Sequence, residues 1–148
     1  MKITYLKCPL NKYTFSIKPI REWVESRSIG KTLNLFAGKT KLAIDEVRVD
    51  ADKTMNADYY SDAYDFVVRC KNKFDTIILD PPYAYRKSME MYNGNKNSRF
   101  NAVKDTLGNI LNDNGRVITF GYHSVSMGKT RGFKQEEILL ISHGGAIS

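Results

Sequence analysis

No apolar run in this chain approaches the roughly 20 residues that a membrane-spanning helix needs. The opening residues, Met1-Lys2-Ile3-Thr4, lack the long apolar segment of a secretion signal. These absences predict a cytoplasmic protein with no membrane contact. Cysteine is scarce: Cys8 and Cys70 are the only two, far apart and in no CxxC pair. That excludes a multi-bridge disulfide scaffold. The two histidines, His123 and His143, sit in no metal-ligand spacing, so no metal site is expected. Repeats, low-complexity tracts and obvious linkers are missing as well. Acidic residues are outnumbered, 16 against 23 Lys and Arg, which leaves a net charge of +7. A surface of that sign attracts polyanions through release of their condensed counterions.

What is present suits one folded unit. A length of 148 residues with 42% hydrophobic content predicts a single compact domain over 1–148. No separate target-recognition domain is expected. The spacing of Ile20, Trp23 and Val24 after Pro19 predicts a helix over 19–28, ended near Gly30. Strands are expected over 32–36, 46–50 and near 59–61. A helix should follow from Asp62 to Asn72, with Ala63, Phe66, Val67 and Cys70 on its apolar face. Phe74 to Leu79 reads as a buried strand. Residues 85–98 are polar and read as a loop. Phe100, Val103, Leu107, Ile110 and Leu111 mark another helix, and Asn114-Gly115 a turn. Strands over 116–120 and 137–141 complete the pattern. Alternating strands and helices imply a mostly parallel sheet with helices on both faces.

The chemistry concentrates at Asp80-Pro81-Pro82-Tyr83, directly after the apolar run Thr76-Ile77-Ile78-Leu79. In an open α/β sheet, ligands bind beyond the carboxyl ends of the strands. A carboxylate, two stiff prolines and an aromatic ring at such an exit form a pocket for a planar amino group. Three Gly-Lys-Thr triplets raise the alternative of a phosphate-binding loop. That motif needs a glycine five residues earlier, where Leu33, Glu25 and His123 stand instead.

With these residues in place, the chain resembles the class I S-adenosylmethionine-dependent amino-methyltransferases. It is most similar to adenine-specific DNA methyltransferases carrying an acidic Pro-Pro-aromatic signature. The likeness spans about residues 30 to 143. It implies a Rossmann-like methyltransferase fold with S-adenosylmethionine as cofactor. It also implies methyl transfer to the exocyclic amine of a nucleobase, first adenine-N6 in DNA. Asp80 and the Pro81 carbonyl would accept the two amine N–H bonds, so that the nitrogen lone pair faces the electrophile. Pro82 would stiffen the turn, and Tyr83 would stack on an extruded base. Phe36, Ala37 and Gly38 form the first-strand exit that would approach the cofactor. Asp50 would bind the ribose hydroxyls, with Asp52 an open competitor. Asp62 would meet the cofactor adenine, or cap the following helix, or both. Phe15, in a segment that can fold over the site, is either a cofactor contact or core.

Some features depart from that pattern. The connections 38–47 and 50–59 leave little room for helices. The chain also stops soon after its sixth expected strand, so the C-terminal part is reduced. An exposed edge there would permit a homodimer. Tyr85, Arg86, Lys87, Tyr92, Lys96 and Arg99 interleave rings with positive charge, as a nucleic-acid-gripping loop does. The alternatives are an RNA base amino-methyltransferase (guanine-N2 or adenine-N6) and a non-catalytic nucleic-acid-binding protein of the same fold.

Overall fold

Phe74–Leu79 (β5) is almost wholly buried and organises the molecule. It lies between Thr32–Asn34 (β2) and Leu111–Thr119 (β8) in a five-stranded sheet. Glu46–Asp50 (β3) and Tyr59–Tyr60 (β4) extend the sheet beyond β2, in the order β4-β3-β2-β5-β8, and every pairing is parallel. This computed structural model describes residues 1–82, 85, 89–92, 95–121 and 126–143, with the backbone alone for 89–92 and 95–98.

Alternate side chains of β5 feed two cores. Ile77 and Leu79 pack in one cluster with Leu33, Val67, Val103 and Leu107. Ile78 joins the other with Ile20 and Val24. Ala63–Arg69 (α2) and Arg99–Thr106 (α3) therefore cover one face, and Lys18–Arg27 (α1) the other. Each fully buried Ile or Leu contributes roughly 1.5–3 kcal/mol of transfer free energy. The coarse expectation of an α/β chain with a parallel sheet and helices on both faces matches this architecture.

Two further pairings were not expected from the sequence. Lys2–Lys7 (β1) runs parallel to Glu137–Ser142 (β9) as a separate ribbon. Among the described residues β1 and β9 pair only with each other, so one side of the last strand is taken by β1 and the other is left unpaired, while β8 is an edge of the five-stranded sheet. Met89–Tyr92 (β6) and Asn95–Ser98 (β7) pair as an antiparallel hairpin where a loop over 85–98 was expected.

Asn114-Gly115 does not end an element. It lies within β8, where the four residues Asn112 to Gly115 stand opposite the single residue Asp75 of β5 as a bulge, and Asn114 takes φ +61°. The other differences concern boundaries. β2 stops at Asn34 rather than 36, although Leu35 N–H still bonds the Ile78 carbonyl at 3.2 Å. The helix expected to reach Asn72 ends at Arg69, because Cys70 is extended and only half-buried. The helix expected to reach Leu111 ends at Thr106 and tightens into a 3-10 turn over Leu107–Asn109. Among the described residues no helix is long and apolar enough to cross a membrane. Gly144-Gly145 lies outside the described residues.

Polar ties fix the strand ends. Arg27 donates to both carboxylate oxygens of Glu137 at 2.9 Å, joining α1 to β9. Asp75 accepts from Lys31 N–H and from Asn112 Nδ2, each at 3.0 Å. The Arg27 hydrogen bond holds Glu137 below its ordinary 4.5, and the Lys31 and Asn112 bonds hold Asp75 below its ordinary 3.8. A carboxylate with a depressed folded pKa stabilises the fold above its unfolded pKa. That contribution drains as pH falls through the folded value. The stability difference between wild type and Glu137→Gln should therefore be constant above about pH 5 and shrink below it, as read by urea unfolding at each pH. Gly30 takes φ +57°, and a Cβ there would collide with the Asp75 carboxylate. Gly30→Ala should cost about 1–3 kcal/mol in the same assay.

Candidate active site

From β2 the chain steps outward to β3 and β4, then returns past β2 to β5 and β8. Between β2 and β5 the connections diverge, which opens a crevice beyond the carboxyl ends of the strands. A cleft of about 600 Å³ occupies that position. Its wall takes Phe36, Ala37 and Gly38 from the exit of β2, and Asp50 and Asp52 from the exit of β3. Asp62 follows β4, Asp80, Pro81 and Pro82 follow β5, and Phe120 and Gly121 follow β8. Residues Asn11 to Phe15 close the near side, with His143 beyond β9.

Residues far apart in sequence thus meet in one hollow. Phe15, Phe36, Ala37, Gly38, Asp50, Asp62, Asp80, Pro81 and Pro82 all line it. Tyr83 lies outside the described residues, as do Arg86, Lys87 and His123. A smaller hollow of about 280 Å³ beside β1 and β9, edged by Tyr5 and Leu140, gathers no comparable set of polar groups. Among the described residues no three His, Cys, Asp or Glu side chains come together as a metal ion would require.

Gly38 takes φ +68°, and a Cβ built on it meets no atom within 4 Å. Packing against this chain therefore does not demand glycine there; the left-handed backbone does. Asp50 braces that turn. Its Oδ2 accepts from Gly38 N–H at 2.8 Å and its Oδ1 from Asp52 N–H at 2.9 Å. Asp52 is exposed and turned to Thr54, accepting from its N–H at 2.9 Å and its hydroxyl at 2.7 Å. The Thr54 hydroxyl and N–H bonds hold the Asp52 carboxyl below its ordinary range. Asp50, half-buried at the strand end, is the acid tied to the glycine turn.

Asp62 has structural work of its own. Its Oδ2 caps α2 by accepting from Asp65 N–H at 3.2 Å and meets Arg99 Nη2 at 2.7 Å. An ionised carboxylate has about four acceptor sites, so capacity for a ligand is left. Phe15 is buried and packs edge-on against Phe120, with centroids 5.5 Å apart. It is core and cleft wall together. Ahead of it, Lys39 Nζ lies 4.8 Å from the centre of the Tyr13 ring, a cation–π contact that ties the N-terminal segment to the loop after β2.

Tyr85 and Arg99, expected in a strand-gripping loop, both make contacts within the fold. Tyr85 packs edge-on against Phe36 at 5.1 Å, and Phe36 in turn faces Phe100 at 6.5 Å. Arg99 starts α3, stands over the Tyr85 ring and pairs with Asp62. Ring contact draws Tyr85 toward Phe36, and the ion pair holds Arg99 against the start of α2.

Sequence reasoning also passed over Arg48 and Glu46. The connection 35–45 carries no helix, as its length suggested. In place of helix packing, a guanidinium lies beneath it. Arg48 is 3% exposed and donates to the carbonyls of Ala37, Gly38, Thr40 and Asn56 at 2.8–3.1 Å. It pairs with Glu46 at 3.1 Å, whose carboxylate also accepts from Asn34 Nδ2 and Leu42 N–H. The alternation Glu46-Val47-Arg48-Val49-Asp50 suggests a strand with one wet face. In fact both faces are covered, one by the core and one by this loop.

Removing the cap at Asp62 should lower stability by about 0.5–2 kcal/mol in Asp62→Ala, whereas Asp62→Asn keeps an acceptor for Asp65 N–H and should lose less. Urea unfolding of the two variants checks the order.

Comparison with models of protein families, with curated proteins and with solved structures gives no match, so what is said of this cleft rests on its own residues.

Proposed function

We propose that this chain is an S-adenosylmethionine-dependent methyltransferase with a Rossmann-like fold. It would act on an exocyclic amino nitrogen of a nucleobase, adenine-N6 in DNA first and an RNA base as the alternative. One observation carries the proposal: the Asp80-Pro81-Pro82 turn opens into the same cleft as Gly38, Asp50 and Asp62.

The charges of the cleft support a particular class of cofactor. Four carboxylates, Asp50, Asp52, Asp62 and Asp80, line it and outnumber the two lysines of its wall, Lys12 and Lys39. They would repel the phosphates of a dinucleotide and favour a cationic, hydroxyl-bearing ligand. S-adenosylmethionine is such a ligand and would supply an electrophilic methyl group on a sulfonium. Asp50 offers lone pairs to ribose hydroxyls while still bracing Gly38. The open space at Gly38 admits close approach to the backbone. Phe36 and Phe15 offer apolar surface to an adenosine.

On the target side, an exocyclic amine is a weak nucleophile because its lone pair is delocalised into the ring. The Asp80 carboxylate and the Pro81 carbonyl would accept its two N–H groups and favour the tetrahedral nitrogen. Asp80 can also receive the proton that the amine sheds. Most of the gain comes from holding nitrogen and methyl in line. The chain's net charge of +7 favours a polyanionic substrate.

Calorimetry with S-adenosylmethionine should give micromolar binding that Asp62→Ala weakens at least tenfold. Labelled methyl transfer to DNA and RNA, each with nuclease controls, should appear with the wild type and fall at least a hundredfold in Asp80→Ala. Salt-sensitive nucleic-acid binding with no cofactor affinity would instead favour a non-catalytic binding protein.

A further inference from the structure

We infer that Arg48 is a positioning residue for the cofactor-binding wall: it touches no ligand, yet sets the shape of the Gly38 turn that a ligand meets. This rests on reading the cleft as the S-adenosylmethionine site.

The inference starts from hydrogen-bond capacity. A guanidinium has five N–H donors in a fixed plane. Nε donates to the Asn56 carbonyl at 2.8 Å, and Nη1 to the Thr40 carbonyl at 2.8 Å and to Glu46. Nη2 donates to the carbonyls of Ala37 at 3.1 Å and Gly38 at 3.0 Å. Two loops, one after β2 and one after β3, are therefore joined through one planar group. Asn56 N–H adds a direct bond to the Gly38 carbonyl at 3.3 Å.

Gly38 is consequently held from both sides. Its carbonyl goes to Arg48 and Asn56, and its N–H goes to Asp50. No peptide bond here is cis, so the carbonyl of Gly38 and the N–H of Lys39 point in opposite directions. Drawing that carbonyl down to Arg48 turns the Lys39 N–H away from it, at a residue that borders the cleft. Asp50 is oriented by the same unit, since its Oδ2 is committed to Gly38 N–H.

Arg48 itself is absent from the cleft wall, whereas Ala37, Gly38, Thr40 and Asp50 belong to it. A lysine at 48 would keep the charge and the pairing with Glu46. Its three donors on one nitrogen cannot span carbonyls on two loops. Arg48→Lys therefore separates positioning from charge. Glu46→Gln provides a second variant that keeps the guanidinium and removes only the charge of its partner.

The experiment combines amide hydrogen exchange with calorimetry. In Arg48→Lys, exchange at Gly38 and Asn56 should rise at least tenfold while the β5 amides stay protected. The Kd for S-adenosylmethionine should rise at least tenfold in parallel. Glu46→Gln should move both readouts in the same direction, by about threefold, and it decides the matter if Arg48→Lys fails to fold. Exchange and affinity within twofold of wild type would overturn the inference. So would a loosened turn with unchanged affinity. If the wild type itself binds no S-adenosylmethionine, the methyltransferase proposal falls, and the exchange comparison alone judges Arg48.

Discussion

A buried positive charge beneath the carboxyl edge of the sheet is the constraint from which the cleft follows. Arg48 would be costly to bury alone. It is tolerated because Glu46 neutralises it and four backbone carbonyls accept its N–H groups. Breaking such a pair by removing one partner costs on the order of 3–5 kcal/mol. A small domain holds only about 5–15 kcal/mol of net stability, so the pair matters to the whole fold. With no helix between β2 and β3, the loops after these two strands fold around a guanidinium.

The other walls are built by different forces. Ring contacts among Phe36, Tyr85 and Phe100 bring the turn after β5 against the turn after β2. The Arg99–Asp62 pair ties α3 to the start of α2. Cation–π contact between Lys39 and Tyr13 draws the N-terminal segment across the opening. The four aspartates then face a space shaped by groups that are mostly not acidic. Repulsion among Asp50, Asp52 and Asp62 is eased because each accepts a backbone hydrogen bond, and Asp62 also pairs with Arg99. The same acids thereby serve the architecture.

The parts of the fold that were legible in sequence are those fixed by local pattern. β5 is a continuous apolar run bounded by polar residues, and β3 alternates cleanly, so both were located to the residue. Asp80, Gly38, Asp50 and Asp62 could be singled out because strand ends in a parallel sheet converge on one edge. What escaped depends on partners distant in the chain. β1 is half exposed and carries a lysine at each end, so nothing local marks it; its pairing lies with β9, more than a hundred residues away. The β6–β7 pair flanks Asn93-Gly94, a dipeptide that favours tight hairpin turns and that the reading of 85–98 as a polar loop passed over. Arg48 escaped notice because alternation reports which residues share a face, not what covers that face.

The central claim is that one cleft receives both an adenosine-bearing cofactor and a flat base amine. Amide chemical-shift mapping during titration with S-adenosylmethionine tests it most directly. The account predicts saturable shifts concentrated at Ala37, Gly38, Asp50, Asp62 and Asp80, with Tyr5 and Leu140 on the β1–β9 ribbon unmoved. Shifts confined to that ribbon, or none at millimolar ligand, would contradict it.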